Sequence, residues 1–537
     1  MLWSRVLVLI AISFVFLFIN GCQKSSEVTN SQILHVAAPA SPITLNPLFA
    51  RDAVSLEAAA LLHPQLLGTN PYTLEVEPRL FASWELHADN LTYHLRLREG
   101  LLWSDGTPLT ADDVAFTLLL ICHADYTGWL YPLLRFVEGA EEYRKTRHSP
   151  YAQGAIPGIR VIDEQTIAIR LKQVHAPFLS YLTFPPLPAH KLQNVKVADM
   201  EEHPSLKNVG VGAGPYLFTS WRPDEYLLVR ANPDYYLGKP EIAEIYYRII
   251  PNIEAQVIEL LAGKLDLLPT AVKVEDVEML AADRQIRIHK NSRLVYDYIA
   301  INHKQENTPL KDRRVRQALA MLLEKDELVA NLLLGFAEVL HGPLLPLHFA
   351  YDSEFSQEKG SLPAARELLL QAGYPQFKLK LIFNSGNIVR ENVALLFKEQ
   401  AAQVGVDVQI HALEWEAFLA ALTNGDYDLA ILGRSTDADP DLSFHWHSQG
   451  AGNRTGYANE QVDRLLEAGA AVLDRGKRTE LYRQSQALIV ADAPIIWLYS
   501  RQAIHAASAD LHNFAAHPES LFYDVHLWSL AGRDGRP

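Results

Sequence analysis

The chain has 537 residues, of which 49% are hydrophobic and 21% charged, and it carries a net charge of −15. That length exceeds one compact core and calls for two or three domains, and the composition is globular rather than disordered or fibrous. An acidic chain with no basic cluster is a poor partner for nucleic acid.

Residues 1–5 hold one positive charge, Arg5, and residues 6–19 are apolar apart from Ser13. A charged start and a short apolar core are the pattern of a secretory signal, too short to span a membrane comfortably. Ile19-Asn20-Gly21-Cys22 resembles the bacterial lipobox, although Asn20 stands where a smaller residue is usual. In a lipobox the thiol is acylated and the chain is cut before it. The expectation is a signal peptide over 1–21, a lipid on Cys22 and a polar tether over 22–32. The protein is then anchored outside the cytoplasm, in the periplasm or at the cell surface. No later run of eighteen apolar residues offers a second span. With Cys22 acylated, Cys122 has no partner for a disulfide and reads as a buried small hydrophobe.

Globular patterning begins at Ile33. Strict alternation over 91–97 predicts a half-buried strand, as it does over 166–171. Between them, Ser104-Asp105-Gly106-Thr107 is a turn, and Thr110 with Asp113 predicts a helix start. The glycine-rich 210–214 predicts a turn before a strand. In the second half, helices are predicted over 312–334, 361–372, 391–404 and 415–423. Strands are predicted over 377–383, 406–413 and 427–432. Strand–helix alternation at this spacing implies α/β layering around a mostly parallel sheet.

Enzyme signatures are absent from the sequence. There is no Gly-x-Ser-x-Gly elbow, no phosphate loop ending in Lys-Ser/Thr and no His-Glu-x-x-His. No catalytic residue and no cofactor are expected. His445-Trp-His447 places two imidazoles two apart but has no third ligand at a metal-site spacing, so no metal is expected either.

Several stretches resemble the family 5 solute-binding proteins of bacterial ABC importers, which bind dipeptides, oligopeptides and nickel. They run in order: Trp103-Ser-Asp-Gly-Thr-Pro-Leu-Thr-Ala-Asp-Asp-Val-Ala-Phe116, Gly212-Ala-Gly-Pro-Tyr216, Asn232-Pro-Asp-Tyr-Tyr-Leu-Gly-Lys-Pro240, Asp312-Arg-Arg-Val-Arg-Gln-Ala-Leu319 and Asp437-Ala-Asp-Pro-Asp441. The resemblance implies an α/β, two-lobed periplasmic-binding-protein-like fold with a hinge and an inserted subdomain. It divides the chain into lobe I (33–72, 207–296 and 505–537), the insert (73–206) and lobe II (297–504). It implies a monomer that captures peptides between its lobes and hands them to an ABC permease. A chelated metal or an oligosaccharide is the alternative cargo, and a sensor or assembly lipoprotein the alternative role.

In the peptide-binding relatives, the aspartate matching Asp437 accepts the ligand's α-ammonium. A charged terminus leaving water must meet an opposite charge, and losing a buried partner costs about 3–5 kcal/mol. The alternative for Asp437 is a helix cap, and Asp439 and Asp441 are expected as caps or turn residues. Arg434 stands where these relatives commonly have Trp, so it is expected to pair with Asp437, to meet a ligand carboxylate, or to lie at the surface. Asn302 is expected near the hinge, or as a turn residue. Tyr126, Trp129 and Tyr131 are aromatic candidates for a pocket from the insert, with core packing the expected role of at least two of them. His63-Pro64-Gln65 replaces a common Tyr-Glu-Gly, which alters the wall of the first lobe.

Overall fold

A computed structural model gives the fold and describes residues 33–146, 154–207, 210–269, 272–355, 361–518 and 520–531. The expected signal, Cys22 and the tether lie outside the described residues.

Two sheets organise the molecule. The first has seven strands in the spatial order Ile286–Asn291, Ala503–Ser508, Leu267–Leu268, Ile33–Ala38, Glu244–Ile249, Tyr226–Ala231 and Tyr216–Arg222. The second has six, in the order Ala337–Val339, Ile495–Arg501, Val295–Ile301, Leu429–Ser435, Phe377–Asn384 and Val406–Leu413. Each sheet carries helices and its own buried clusters, so the chain is a two-lobed α/β protein. Between Ala38 and Tyr216 the chain forms a further unit, in which a four-stranded antiparallel sheet packs with helix Ala111–Cys122. Among the described residues the chain passes between the two large sheets twice. It leaves the first at Asn291 to enter the second at Val295, and leaves the second at Arg501 to re-enter the first at Ala503.

The elements follow from local chemistry. Ser361 caps helix Leu362–Ala372 by accepting from the Ala364 N–H, and Gly373 ends it with φ of 82°, a conformation that a Cβ disfavours. Strand Val406–Leu413 forms with the expected bounds. The helix expected over 312–334 is two helices, Arg313–Ala320 and Lys325–Leu332. The break lets the adjacent Leu322 and Leu323 both enter the core, whereas an unbroken helix would turn them about 100° apart. The second sheet is mixed rather than mostly parallel: Leu429–Ser435, Phe377–Asn384 and Val406–Leu413 pair in parallel, and the other pairings are antiparallel. The two strands that cross between sheets cause this, because one enters and the other leaves.

The stretch beginning at Trp103 is a structural knot. The buried Asp113 carboxylate accepts from Trp103 Nε1 (3.2 Å), the Thr110 N–H (3.0 Å) and the Ala189 N–H (2.8 Å). Ser104 exchanges hydrogen bonds with Gly212, tying the insert to the returning chain. Gly214 must be glycine for a related reason. A Cβ there would stand 2.4 Å from the carbonyl carbon of Leu62, far inside contact distance. Cys122 is buried and unpaired, and burial pushes its thiol pKa up to about 12, so it is inert as a nucleophile.

Candidate functional site

A cleft of about 1460 Å³ lies between the lobes. One wall is helix Ala53–Leu62, through Leu56, Glu57 and Ala60, together with His517, Pro518 and 520–526. The insert adds Arg79, Trp129 and 183–185, and the second lobe adds 384–389 and Ser435. The floor is the crossing chain itself: Asn291, Arg293, Arg501, Gln502 and Ala503.

The floor is built on Asp297. On strand Val295–Ile301, side chains alternate between faces. Tyr296, Tyr298 and Ala300 enter one buried cluster, while Ile299 and Ile301 enter another on the opposite face. Asp297 shares the second face and is 3% exposed. Its carboxylate accepts from Arg501 Nε at 2.9 Å and lies 3.7 Å from Arg390 Nη2. Arg390 also donates to Asn384 Oδ1 at 2.6 Å. Gly433, paired across from Asp297, leaves the space: a Cβ there would stand 3.2 Å from Arg390 Nη2. Arg293 completes the group and is exposed to the cleft. Burial, and then the neighbouring Arg501, lower its pKa. Opposite, Glu57 accepts from the Tyr247 hydroxyl at 2.5 Å, and burial pushes its pKa up to about 7.

The Asp437 loop follows Ser435, the one residue of this stretch that lines the cleft; Asp437 itself is not among the lining residues. Asp437 is exposed, two residues beyond the cleft-lining Ser435, and its backbone carbonyl accepts from the His348 ring at 3.0 Å. The loop faces the insert's short helix Ala176–Tyr181. Burial, and then the charges of Asp441, Asp437 and Asp439, raise the Tyr181 pKa well above its ordinary value. Asp439 pairs with Arg478 at 2.5 Å, and Asp441 accepts from the Ser443 N–H at 2.9 Å.

The insert also reaches across to the second lobe. The turn between strands Leu67–Thr69 and Val76–Pro78 carries Leu74, which is 7% exposed and joins the buried cluster of Tyr298, Tyr482 and Trp497. Leu74 holds a left-handed φ of 55°, its N–H donating to the Asn70 carbonyl at 2.9 Å. Beside it Glu75 pairs with Arg475, whose guanidinium lies 4.7 Å from the Phe349 ring centre.

Three expected ligand residues have other surroundings. Arg434 is 7% exposed, with its guanidinium carbon 4.8 Å from the Tyr298 ring centre and 5.0 Å from that of Trp446. It pairs across the strands with Tyr296 and so shares the aromatic face. This cation–π cage corrects the expectation of a ligand or surface arginine. Asn302 is 1% exposed and donates to the carbonyls of Gly425 (3.0 Å) and Tyr427 (2.9 Å). It lies seven residues along the strand from the cleft end at Val295, about 23 Å at strand rise, so it locks a turn and is far from the hinge. Tyr126 is buried in the insert's core and donates to the Leu48 carbonyl at 2.6 Å. Trp129 does line the cleft, 45% exposed, held by a bond from Nε1 to the Ala50 carbonyl. The two histidines of His445-Trp-His447 are engaged separately, with Ser435 and Glu467. Among the described residues no group of three or more metal-ligating side chains assembles.

Sequence reasoning missed Arg293, Asp297 and Arg501. The signal was an aspartate inside Val295-Tyr-Asp-Tyr-Ile-Ala-Ile301, since a charge in a buried strand requires a partner.

Two α/β lobes, two crossing segments and a large cleft on those crossings define a solute-binding protein that encloses its ligand between lobes. The sequence profile of the bacterial extracellular solute-binding proteins, family 5 Middle, matches residues 75–456, and the chain belongs to this family. It is 27% identical to the Oligopeptide-binding protein AppA of Bacillus subtilis, covering 98% of this chain and 99% of that one. Identity is 26% to Di/tripeptide-binding protein 2 of Pseudomonas aeruginosa, covering 91% and 93%. The solved structure of AppA in complex with a nonapeptide matches with a TM-score of 0.77 at 27% identity, covering 93% of this chain and 99% of that one. The ABC transporter substrate binding protein CtaP from Listeria monocytogenes matches with a TM-score of 0.82 at 25% identity and the same coverage. The protein is thus an extracytoplasmic substrate-binding component of an ABC transporter, working with a membrane permease, and not an enzyme.

Proposed function

We propose that the protein captures peptides in the inter-lobe cleft and delivers them to the permease. The observation that carries this reading is the size and lining of the cleft. Pockets for drug-sized ligands hold about 300–1,000 Å³, and 1460 Å³ accommodates an extended chain of several residues. Leu56, Trp129 and Ile388 offer apolar surface to side chains. A peptide's two ends also need opposite charges: Asp437 is exposed two residues beyond the cleft-lining Ser435, and arginines lie on the floor. The similarity to AppA and to a di/tripeptide-binding protein supports the same cargo class. The division into lobe I, insert and lobe II at the expected boundaries belongs to this proposal and is supported by the sheet membership of the strands.

Asp437 is the proposed acceptor of the ligand's α-ammonium. Because its carboxylate is exposed, the expected cost of its loss falls below that of a buried pair, to about 1.5–3 kcal/mol for a hydrogen bond to a charged group. Asp437→Ala should weaken free-amino peptides by roughly 10- to 150-fold, and N-acetylation should weaken them similarly in the native protein. Calorimetry with equal affinities for acetylated and free peptides removes the role from Asp437. Retention of a peptide mixture after mild purification, read by mass spectrometry, tests the cargo class itself.

Lipid anchoring through Cys22 belongs to the same proposal, supported by the apolar run that ends there. Cys22→Ser is expected to abolish labelling by palmitate and release the protein from membranes. Unchanged labelling in that variant would place the lipid elsewhere.

A further inference from the structure

The cleft floor carries more positive charge than the fold needs. Asp297 is the one carboxylate within 4 Å of Arg501 and Arg390 among the described ion pairs. One carboxylate balances one guanidinium, not two, and Arg293 stands beside them. Among the described residues, the Arg293 guanidinium has neither a hydrogen bond nor an ion pair. Arg501, which lines the cleft, bonds Asp297 through Nε alone. Arg390 Nε is buried without a partner. In a chain of net charge −15, unneutralised guanidiniums gathered on a cleft floor are a feature that folding alone would not retain. Their mutual repulsion costs stability unless an anion relieves it. The nearest acid on the opposite wall, Glu57, is turned to Tyr247. Burial holds it close to half protonated at neutral pH, so it is a weak counter-ion.

We propose that Arg293 and Arg501, backed by Arg390, form a subsite for a carboxylate carried by the cargo. Guanidiniums present paired N–H groups that match the two oxygens of a carboxylate. The position adds a second consequence. Arg293 lies between Asn291, the last residue of one sheet, and Val295, the first of the other, and Arg501 immediately precedes the return crossing at Gln502. An anion held by both arginines ties the two crossing segments together, so its binding free energy favours one angle between the lobes. The identity of the carboxylate, as a terminus or as an acidic side chain, rests on the peptide reading above. The anion subsite itself does not.

The test uses the full-length protein in detergent, as wild type, Arg293→Ala, Arg293→Lys and Arg501→Ala. Thermal unfolding with inorganic phosphate or acetate, against chloride at matched ionic strength, reads the subsite without a peptide. Both anions are expected to raise the wild-type midpoint. The rise is lost in the two alanine variants and retained in part by Arg293→Lys. Calorimetry then compares tetraalanine, its C-terminal amide, and an amidated tetrapeptide with one internal glutamate. A roughly tenfold or greater loss on amidation, absent in Arg293→Ala, identifies a terminal carboxylate. Recovery with the glutamate peptide identifies a side chain. A stabilising anion effect with no peptide binding keeps the subsite and defeats the peptide reading. Midpoints no higher in phosphate or acetate than in chloride, or the same rise in Arg293→Ala, overturn the subsite, whatever the peptides do.

Discussion

Replacing Asp297 by alanine is expected to lower the unfolding free energy by about 3–5 kcal/mol, the usual cost of leaving a buried charge without its partner. The carboxylate is 3% exposed and accepts from Arg501 at 2.9 Å. Without it, Arg390 and Arg501 face one another and Arg293 with no counter-charge, and the Arg390 side chain is mostly enclosed by its neighbours. Asp297→Asn keeps the shape and one acceptor and should lose less. Urea denaturation followed by tryptophan fluorescence reads the difference as a lower midpoint with the alanine variant lowest. A midpoint equal to that of the wild type would mean that water screens the arginines and that Asp297 organises nothing.

Leu74→Asp is expected to weaken closure rather than folding. The residue sits in a surface turn of the insert, yet its side chain is buried in the second lobe's cluster. Burying a leucine contributes about 1.5–3 kcal/mol, and parting the insert from the second lobe would remove that burial. Its loss therefore shifts the closed-to-open ratio by roughly 10- to 150-fold, and an aspartate adds a desolvation penalty. Small-angle scattering should show a larger radius of gyration and calorimetry a weaker ligand, while circular dichroism stays unchanged. Leu74→Met, which keeps the apolar contact, should behave as wild type. Scattering curves that coincide for Leu74→Asp and wild type would show that this contact does not hold the lobes together. The Glu75–Arg475 pair beside it is exposed on both sides and contributes little alone.

These expectations rest on residues of unequal legibility. Local elements of the second lobe could be read directly. Phe377, Leu379, Leu381 and Phe383 alternate, and Ser361 and Gly373 bracket a helix, because period and capping are properties of neighbours in sequence. The ordered motifs from Trp103 to Asp441 carried the family and thereby the two lobes. What Arg434 does could not be read that way. One step along its strand, Gly433 lies on the Asp297 face, while Arg434 falls among Tyr296, Tyr298 and Trp446. Nothing in the local pattern says which face meets the cleft.

By itself the sequence determined the α/β class, the helix start at Thr110 and Asp113 and the strand–helix order of the second lobe. Tertiary structure alone decided the composition of the cleft floor. Arg293, Asp297, Arg390 and Arg501 come from a crossing segment, two strands and a helix up to 208 residues apart, and two chain crossings bring them to one point. Charge balance is a sum over neighbours in space, so three arginines around one aspartate become visible only once the lobes are folded against their hinge.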